Sequence, residues 1–401
     1  MTGLGVPANA RNDAPGVLDD ADLPLMLLHN NALAHNLALM AEFCANNQVG
    51  LAPHAKTHMS EELCRRQLEA GAWGMTAATT AQVRILSGFG VRRILHANVL
   101  VDSSAIEWVA TTFLAGGNSE YYCYVDSLAG LALLEDELEL HSPSHKLRVL
   151  IELGFEGGRT GVRSIAAAIV LAHAVTESSR VELAGVAGFE GLMPLDGGTY
   201  PAGTRDFLAR MRAFTEYCVD AELFARTPIV SAGGSSFFDL VVDELGQKNW
   251  DFPVTCILRS GCYLTHDHGM YARTSPFGAR GTRSGEHFIA AFELIASVLS
   301  RPEPDRVIVG FGRREAPTDA GLPVVLGRLG ESETLDDTAD WQVIGVNDHH
   351  AFLRVPTEAS VDPGELLRFG ISHPCGAFDR WRSIPLVDEN RRVIGRIVPT
   401  L

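Results

Sequence analysis

Apolar positions along the chain form two textures, and the change between them falls near Phe277. Before it, apolar runs of strand length recur at 49–53, 73–76, 91–97, 119–126, 148–153, 181–188, 228–232 and 254–258. Between most of them lie stretches with helical spacing, such as Ser60–Ala70 closed by Gly71, Thr79–Ser87, Ser103–Leu114 and Arg205–Ala221. Buried strands alternating with helices predict parallel βαβ units. Eight such runs predict an α/β fold, a (β/α)8 TIM barrel carrying its chemistry on the loops that follow the strands. An open doubly wound sheet is the alternative, although no G-x-G-x-x-G follows the first run to support it.

Past Phe277 the runs become short and alternating, at His287–Phe292, Val307–Gly310, Val324–Leu326, Gln342–Val346, Ala351–Val355, Leu366–Phe369, Ile384–Val387 and Val393–Pro399. Gly, Pro, Asp and Asn turns separate them, which predicts a C-terminal antiparallel β domain. The expected organisation is a tail over 1–22, a barrel over 23–275 and the β domain over 276–401. An earlier run at 24–29 is left over from the eight and can pair with the β domain, ahead of a helix carrying Leu33, Leu37, Met40 and Phe43 on one face. The polar stretch Glu331–Asp340 predicts an exposed loop.

Composition narrows the function. The 401 residues are 46% hydrophobic and 20% charged, enough for a large core. The net charge of -16 argues against nucleic acid and against an anionic membrane surface as partners. Seven cysteines stand singly with no C-x-x-C pair, which disfavours a disulfide framework. No signal-peptide core and no membrane-length apolar window is present, so the expectation is a soluble, cytoplasmic protein.

Candidate chemistry begins where the run at 49–53 ends, in Pro53-His54-Ala55-Lys56-Thr57-His58. Lys56 beside two imidazoles and a proline is expected to be partly desolvated, which favours the neutral, nucleophilic amine. The run at 148–153 leads into a glycine-rich loop presenting Arg159, and the run at 181–188 leads into Phe189-Glu190-Gly191. The run at 228–232 ends in Gly233-Gly234-Ser235 ahead of a helix, and the last run ends in Arg259-Ser260-Gly261-Cys262-Tyr263. Backbone N–H groups in such turns form an anion site, and a phosphate held after strands seven and eight recurs in barrels. A reactive amine with a phosphate anchor suggests pyridoxal 5'-phosphate carried as a Schiff base. In the β domain, His373-Pro374-Cys375 offers an imidazole and a thiolate suited to Zn2+, with His349 and His350 upstream.

Taken together, these stretches resemble the D-serine dehydratase/D-threonine aldolase family, fold-type III pyridoxal phosphate enzymes with an alanine-racemase-like barrel and a C-terminal β domain. The likeness runs over roughly residues 20 to 400 and is strongest to bacterial members called amino-acid deaminase or D-serine deaminase. It implies that Lys56 is the pyridoxal lysine, with Arg159 beside the cofactor. It implies a phosphate cradle of Gly233, Gly234 and Ser235 with Gly261 and Cys262, Tyr263 sharing that turn. It implies Zn2+, or another divalent metal, on His373 and Cys375, with His349 or His350 near it, and a homodimer.

Two positions depart from the family pattern. Phe189 stands where many members have Tyr, and His-Pro-Cys stands where aldolases have His-x-Asp. A thiolate favours Zn2+ over metals suited to carboxylate. That leans toward β-elimination of a β-hydroxy D-amino acid such as D-serine to pyruvate and ammonia, with Lys56 taking the Cα proton. The alternative is aldol-type cleavage to glycine and an aldehyde, with His349 or His350 as base. A non-catalytic pyridoxal phosphate carrier, and a metal hydrolase using His54, His58, His266 and His268, are the readings of other classes.

Overall fold

Each predicted apolar run of the first texture becomes one short strand of a parallel sheet. The computed structural model describes residues 22–193, 195–196, 200–201, 203–280, 286–330 and 338–400. The expected tail thus falls outside the described residues up to 21, and so do positions 331–337 of the expected polar loop. The chain divides into two units, Met40–Gly261 and Met1–Leu39 with Cys262–Leu401. After β1 (Leu25–His29) and α1 (Asn30–Asn46), the first unit's strands are β2 (Gly50–Leu51), β3 (Met75–Ala77), β4 (Arg93–Val99), β5 (Glu120–Val125), β6 (Leu147–Leu153), β7 (Val181–Gly188), β8 (Ile229–Ala232) and β9 (Thr255–Leu258). They lie in the order β2-β9-β8-β7-β6-β5-β4-β3. A parallel bridge between His54 and Thr76 joins the two ends. Two backbone bonds complete that seam, Trp73 N–H to Leu51 O at 2.7 Å and Thr76 N–H to Pro53 O at 2.9 Å. The sheet therefore closes on itself as a barrel.

Helices α2 (Glu61–Glu69), α3 (Thr80–Gly88), α4 (Ser103–Thr112), α5 (Leu128–His141), α6 (Ile165–Glu177), α7 (Thr204–Asp220) and α8 (Phe238–Leu245) alternate with the strands. Local chemistry starts four of them. Thr79, Asp102, Ser127 and Ser164 accept the backbone N–H three residues on, which satisfies donors a helix start leaves open. Inside the barrel, Ala52, Leu95, Tyr122, Tyr124, Leu150 and Ile257 pack as one core cluster, the layered filling expected of eight tilted strands.

The other unit is a nine-stranded, mostly antiparallel sheet. It comprises β1 with β10 (Phe292–Glu303), β11 (Arg306–Val309), β12 (Val324–Arg328), β13 (Gln342–Val346), β14 (Ala351–Arg354), β15 (Leu366–Gly370), β16 (Ile384–Val387) and β17 (Val393–Ile397). The expected boundary at 275/276 differs from the observed division, and backbone pairing gives the reason. β1 pairs antiparallel with β10 and parallel with β16. The segment after Cys262 is tied by His268 N–H to Ile371 O and Met270 N–H to Ser372 O, at 3.0 and 3.1 Å.

The expected strand at His287–Phe292 is corrected. The strand starts at Phe292 and runs to Glu303, because alternation continues through Leu294, Ala296 and Val298, all buried. Ahead of it, the Asn36 side chain takes up the backbone of Ile289, accepting from its N–H at 2.8 Å and donating to its C=O at 2.7 Å. No described helix is long and apolar enough to cross a membrane.

Candidate functional site

Lys56 sits in the 3-10 turn Ala55–Thr57 immediately after the seam strand. Its side chain is exposed, which corrects the expectation of an amine pressed between imidazoles. His58 turns into the barrel body, where Nε2 meets Gln67 Oε1 at 3.0 Å and Nδ1 accepts from Ser60 N–H. His54 stays near the amine. Burial, followed by the charges of Lys56, Arg259 and Arg159, pushes its imidazole well below the usual range.

Around these cations, three buried polar atoms lack a partner among the described residues: His54 Nδ1, the Tyr124 hydroxyl and Glu152 Oε2. Burial raises the Glu152 carboxyl above the ordinary carboxylate range, and burial carries the Tyr124 hydroxyl up to about 12. Arg259 is buried, donating to Ser231 Oγ at 2.8 Å and to the Gly188 carbonyl at 2.6 Å. Arg159 is exposed, its guanidinium 4.5 Å from the centre of the Phe189 ring. Unpaired buried polar atoms are costly, so a group of them beside two guanidiniums marks a place built for a polar, anionic ligand.

The turns after β8 and β9 are shaped by close approach. A Cβ at Gly261 would stand 2.4 Å from the His54 carbonyl oxygen, so only glycine lets this turn lie against the one bearing Lys56. Gly233 adopts φ +94. Ser260 Oγ donates to the carbonyls of Gly233 and Gly234 at 3.2 and 3.1 Å, tying the two turns together.

The expectation that the amides of Gly233 and Gly234 point to a phosphate meets a competitor. They donate to Glu190, at 3.1 Å to Oε2 and 2.7 Å to Oε1. Glu190 is fully buried and stood in the sequence only as a neighbour of Phe189. The helix also begins later than expected, at Phe238, with Phe237 as its N-cap. Ser235 is buried in this turn.

In the other unit, one cluster gathers residues the sequence had set apart. Cys262, in the 3-10 turn Cys262–Leu264, joins His373 and Cys375, and their ligand atoms all lie within 4.8 Å of one another. The two Sγ atoms are 3.5 Å apart. Its thiol therefore belongs to this cluster, whereas the sequence placed Cys262 in the phosphate cradle. His373 stands at the N-cap position of the five-residue helix α9 (Pro374–Phe378), which begins on Pro374 and presents Cys375.

His373 Nδ1 meets Asp319 Oδ2 at 2.5 Å. Burial opposes charge on His373, but bonds to Cys262 and Asp319 prevail and carry it up to about 9. Two sulfurs and an imidazole suit Zn2+, and a carboxylate on the second ring nitrogen is the usual support of a metal-bound histidine. Tyr263 is buried with its ring 6.0 Å from Phe288. His349 and His350 are exposed and outside the cluster; His349 Nδ1 is held by Glu315 at 2.7 Å. Sequence reasoning missed Asp319, and nothing local to it offered a signal.

Comparison with known proteins finds likeness in sequence and in fold. The family described as "Putative serine dehydratase domain" matches residues 291–387. The D-threonine aldolase of Arthrobacter sp is 26% identical over 93% of this chain and 90% of its own length. In fold, the D-threonine aldolase of Filomicrobium marinum superposes with a TM-score of 0.76 at 24% identity, covering 95% of each chain. The D-threo-3-hydroxyaspartate dehydratase of Delftia sp. HT23 superposes at 0.73 and 20% identity, over 95% of this chain and 98% of that one. The chain therefore has the fold of these enzymes over nearly its whole length, and its residues 291–387 match the serine dehydratase domain. The residues present fit pyridoxal phosphate through an exposed amine at a barrel strand end and the unpartnered polar atoms of His54, Tyr124 and Glu152 near it, although Glu190 holds the Gly233 and Gly234 amides.

Proposed function

We propose that this chain is a pyridoxal phosphate-dependent lyase of β-hydroxy D-amino acids, cleaving the Cα–Cβ bond to give glycine and an aldehyde. The observation that carries it is the exposed Lys56 amine among Arg159, Arg259 and the unpartnered atoms of His54, Tyr124 and Glu152. Cleavage as the first reading is supported by the D-threonine aldolase relative that spans most of the chain, and by a second relative, the 3-hydroxy-D-aspartate aldolase of Paracoccus denitrificans. Pyridoxal phosphate, when bound, supplies an electron sink for negative charge at Cα. A divalent metal held by His373 and Cys375 would polarise an oxygen ligand such as a β-hydroxyl.

The chain's own residues supply the rest. Lys56 would hold the cofactor through Nζ, and the same amine would serve to move a proton to or from the substrate Cα. Arg159, stacked on Phe189, and buried Arg259 offer positive charge to anionic groups of cofactor or substrate. Cleavage also requires a base for the β-hydroxyl proton, and His349 or His350, both exposed, would supply an imidazole for it.

A second reading, dehydration to a keto acid and ammonia, is favoured by the thiolates at the metal cluster where aldolases are expected to have a carboxylate. A product assay decides. Glycine and acetaldehyde from D-threonine support cleavage, whereas pyruvate from D-serine without any aldehyde product supports dehydration. Absence of both products from reconstituted protein would sink the lyase reading.

A further inference from the structure

We propose that Cys262 is a third protein ligand of the divalent metal, making a Cys2His site with a single open position. The proposal rests on the metal use argued above and deepens it. Its first support is spacing. Around a tetrahedral zinc with bonds of about 2.3 Å to sulfur, two thiolates stand roughly 3.8 Å apart. The Sγ atoms of Cys262 and Cys375 are 3.5 Å apart, and the His373 ligand atom lies within 4.8 Å of both. That separation is far from the ~2.05 Å of a disulfide and needs only a few tenths of an ångström of adjustment to receive a metal.

Preorganisation is the second support. Cys262 is buried, and its carbonyl accepts from His266 N–H at 2.8 Å, closing the turn. The segment downstream is fastened to the residues just before His373 by the His268–Ile371 and Met270–Ser372 backbone bonds. Gly269 permits that approach, since a Cβ there would stand 2.6 Å from Ser372 Cα. Asp319 orients the imidazole, and Pro374 at the start of α9 fixes the chain between His373 and Cys375. All four contributing side chains lie in one unit, so the site needs neither pyridoxal phosphate nor substrate to assemble.

The chemical consequence separates this chain from a His/Cys pair acting alone. Two thiolates neutralise a divalent ion, and three protein ligands leave one tetrahedral position instead of two. Substrate would then meet the metal through one oxygen, not as a chelate.

The test reads the metal, so it is independent of which reaction the enzyme performs. X-ray absorption of the zinc-loaded wild-type holoprotein is expected to show two sulfur neighbours near the ~2.3 Å Zn–S distance. One sulfur, or failure of the protein to take up stoichiometric zinc, overturns the proposal. Cobalt-loaded Cys262→Ser and Cys375→Ser are each expected to lose about half of the near-ultraviolet sulfur-to-cobalt absorption. Each should also bind zinc more weakly, on the order of tenfold or more against a competing chelator. Full absorption and unchanged affinity in Cys262→Ser would overturn it. A chelator that strips zinc without affecting lyase activity would count against the catalytic role of the metal but not against the ligand set.

Discussion

Lys56 and Glu190 show how differently two residues of one site announce themselves. Lys56 was marked in the sequence by its neighbours, yet the physical reason first attached to it does not hold, since its amine is exposed and His58 is bonded to Gln67. What singles it out is that its charge, with those of Arg259 and Arg159, bears on the buried His54 imidazole. Lys56→Ala is expected to abolish the visible absorption of pyridoxal phosphate-loaded protein and to lower turnover by on the order of 10²–10⁴-fold or more, measured by spectrophotometry and product assay. Glu190 had no sequence signal, because its role depends on two amides far along the chain. Glu190→Ala leaves both amides without their carboxylate, at about 1–3 kcal/mol for each unsatisfied group. The expected outcome is a lower melting temperature and weaker pyridoxal phosphate retention on dialysis, while Glu190→Gln, which can still accept one bond, falls between.

At the scale of elements, β10 carries the second unit. It pairs with β1, β11 and β15 and holds the buried Glu293, which accepts from Arg391 at 3.0 Å, Arg368 at 3.3 Å and His29 at 2.8 Å. Burial alone would raise this carboxyl, but the bonds from His29 and Arg391 overcome it and hold it at about 2. A folded value below the unfolded one means stability that is present at neutral pH and lost as pH falls from the ordinary carboxylate range toward about 2. The contribution is on the order of 3 kcal/mol. Glu293→Gln is expected to flatten the acid limb of a denaturant-midpoint-versus-pH curve while lowering stability at pH 7; an unchanged acid limb would refute this. The strand was legible in outline, from its alternation. Its length and start were not, because Asn36 takes the backbone of Ile289 that a strand partner would otherwise take.

For the whole molecule, acid sensitivity has a second source. Burial lowers four imidazoles, His58, His96, His266 and His268, each to about 4. Above the unfolded histidine range both states are neutral and no penalty exists. Between that range and about 4 the unfolded chain takes up protons that the folded chain refuses, so stability falls with pH in this window. The melting temperature is expected to decline from about pH 6.5 downward, well before Glu293 protonates, and a flat profile between pH 6.5 and 5 would contradict it.

What the sequence determined by itself is periodic or contiguous. Apolar runs spaced by amphipathic helices specify eight parallel strands, and alternation past Phe277 specifies an antiparallel sheet, since both follow from burying one face or two along a local stretch. Pro53–His58 and His373–Cys375 were visible for the same reason, each being a short segment whose chemistry is complete within a few residues. Only the tertiary structure decided the rest. Strand β1 joins a sheet whose other strands begin at Phe292. Glu190 takes the amides of Gly233 and Gly234, and Asp319 holds His373 from 54 residues away. The thiol of Cys262 meets Cys375 across a separation of 113 residues. Hydrogen bonds and metal-ligand geometry act over about 3 Å, and nothing in local periodicity records which distant residues the fold will bring within that reach.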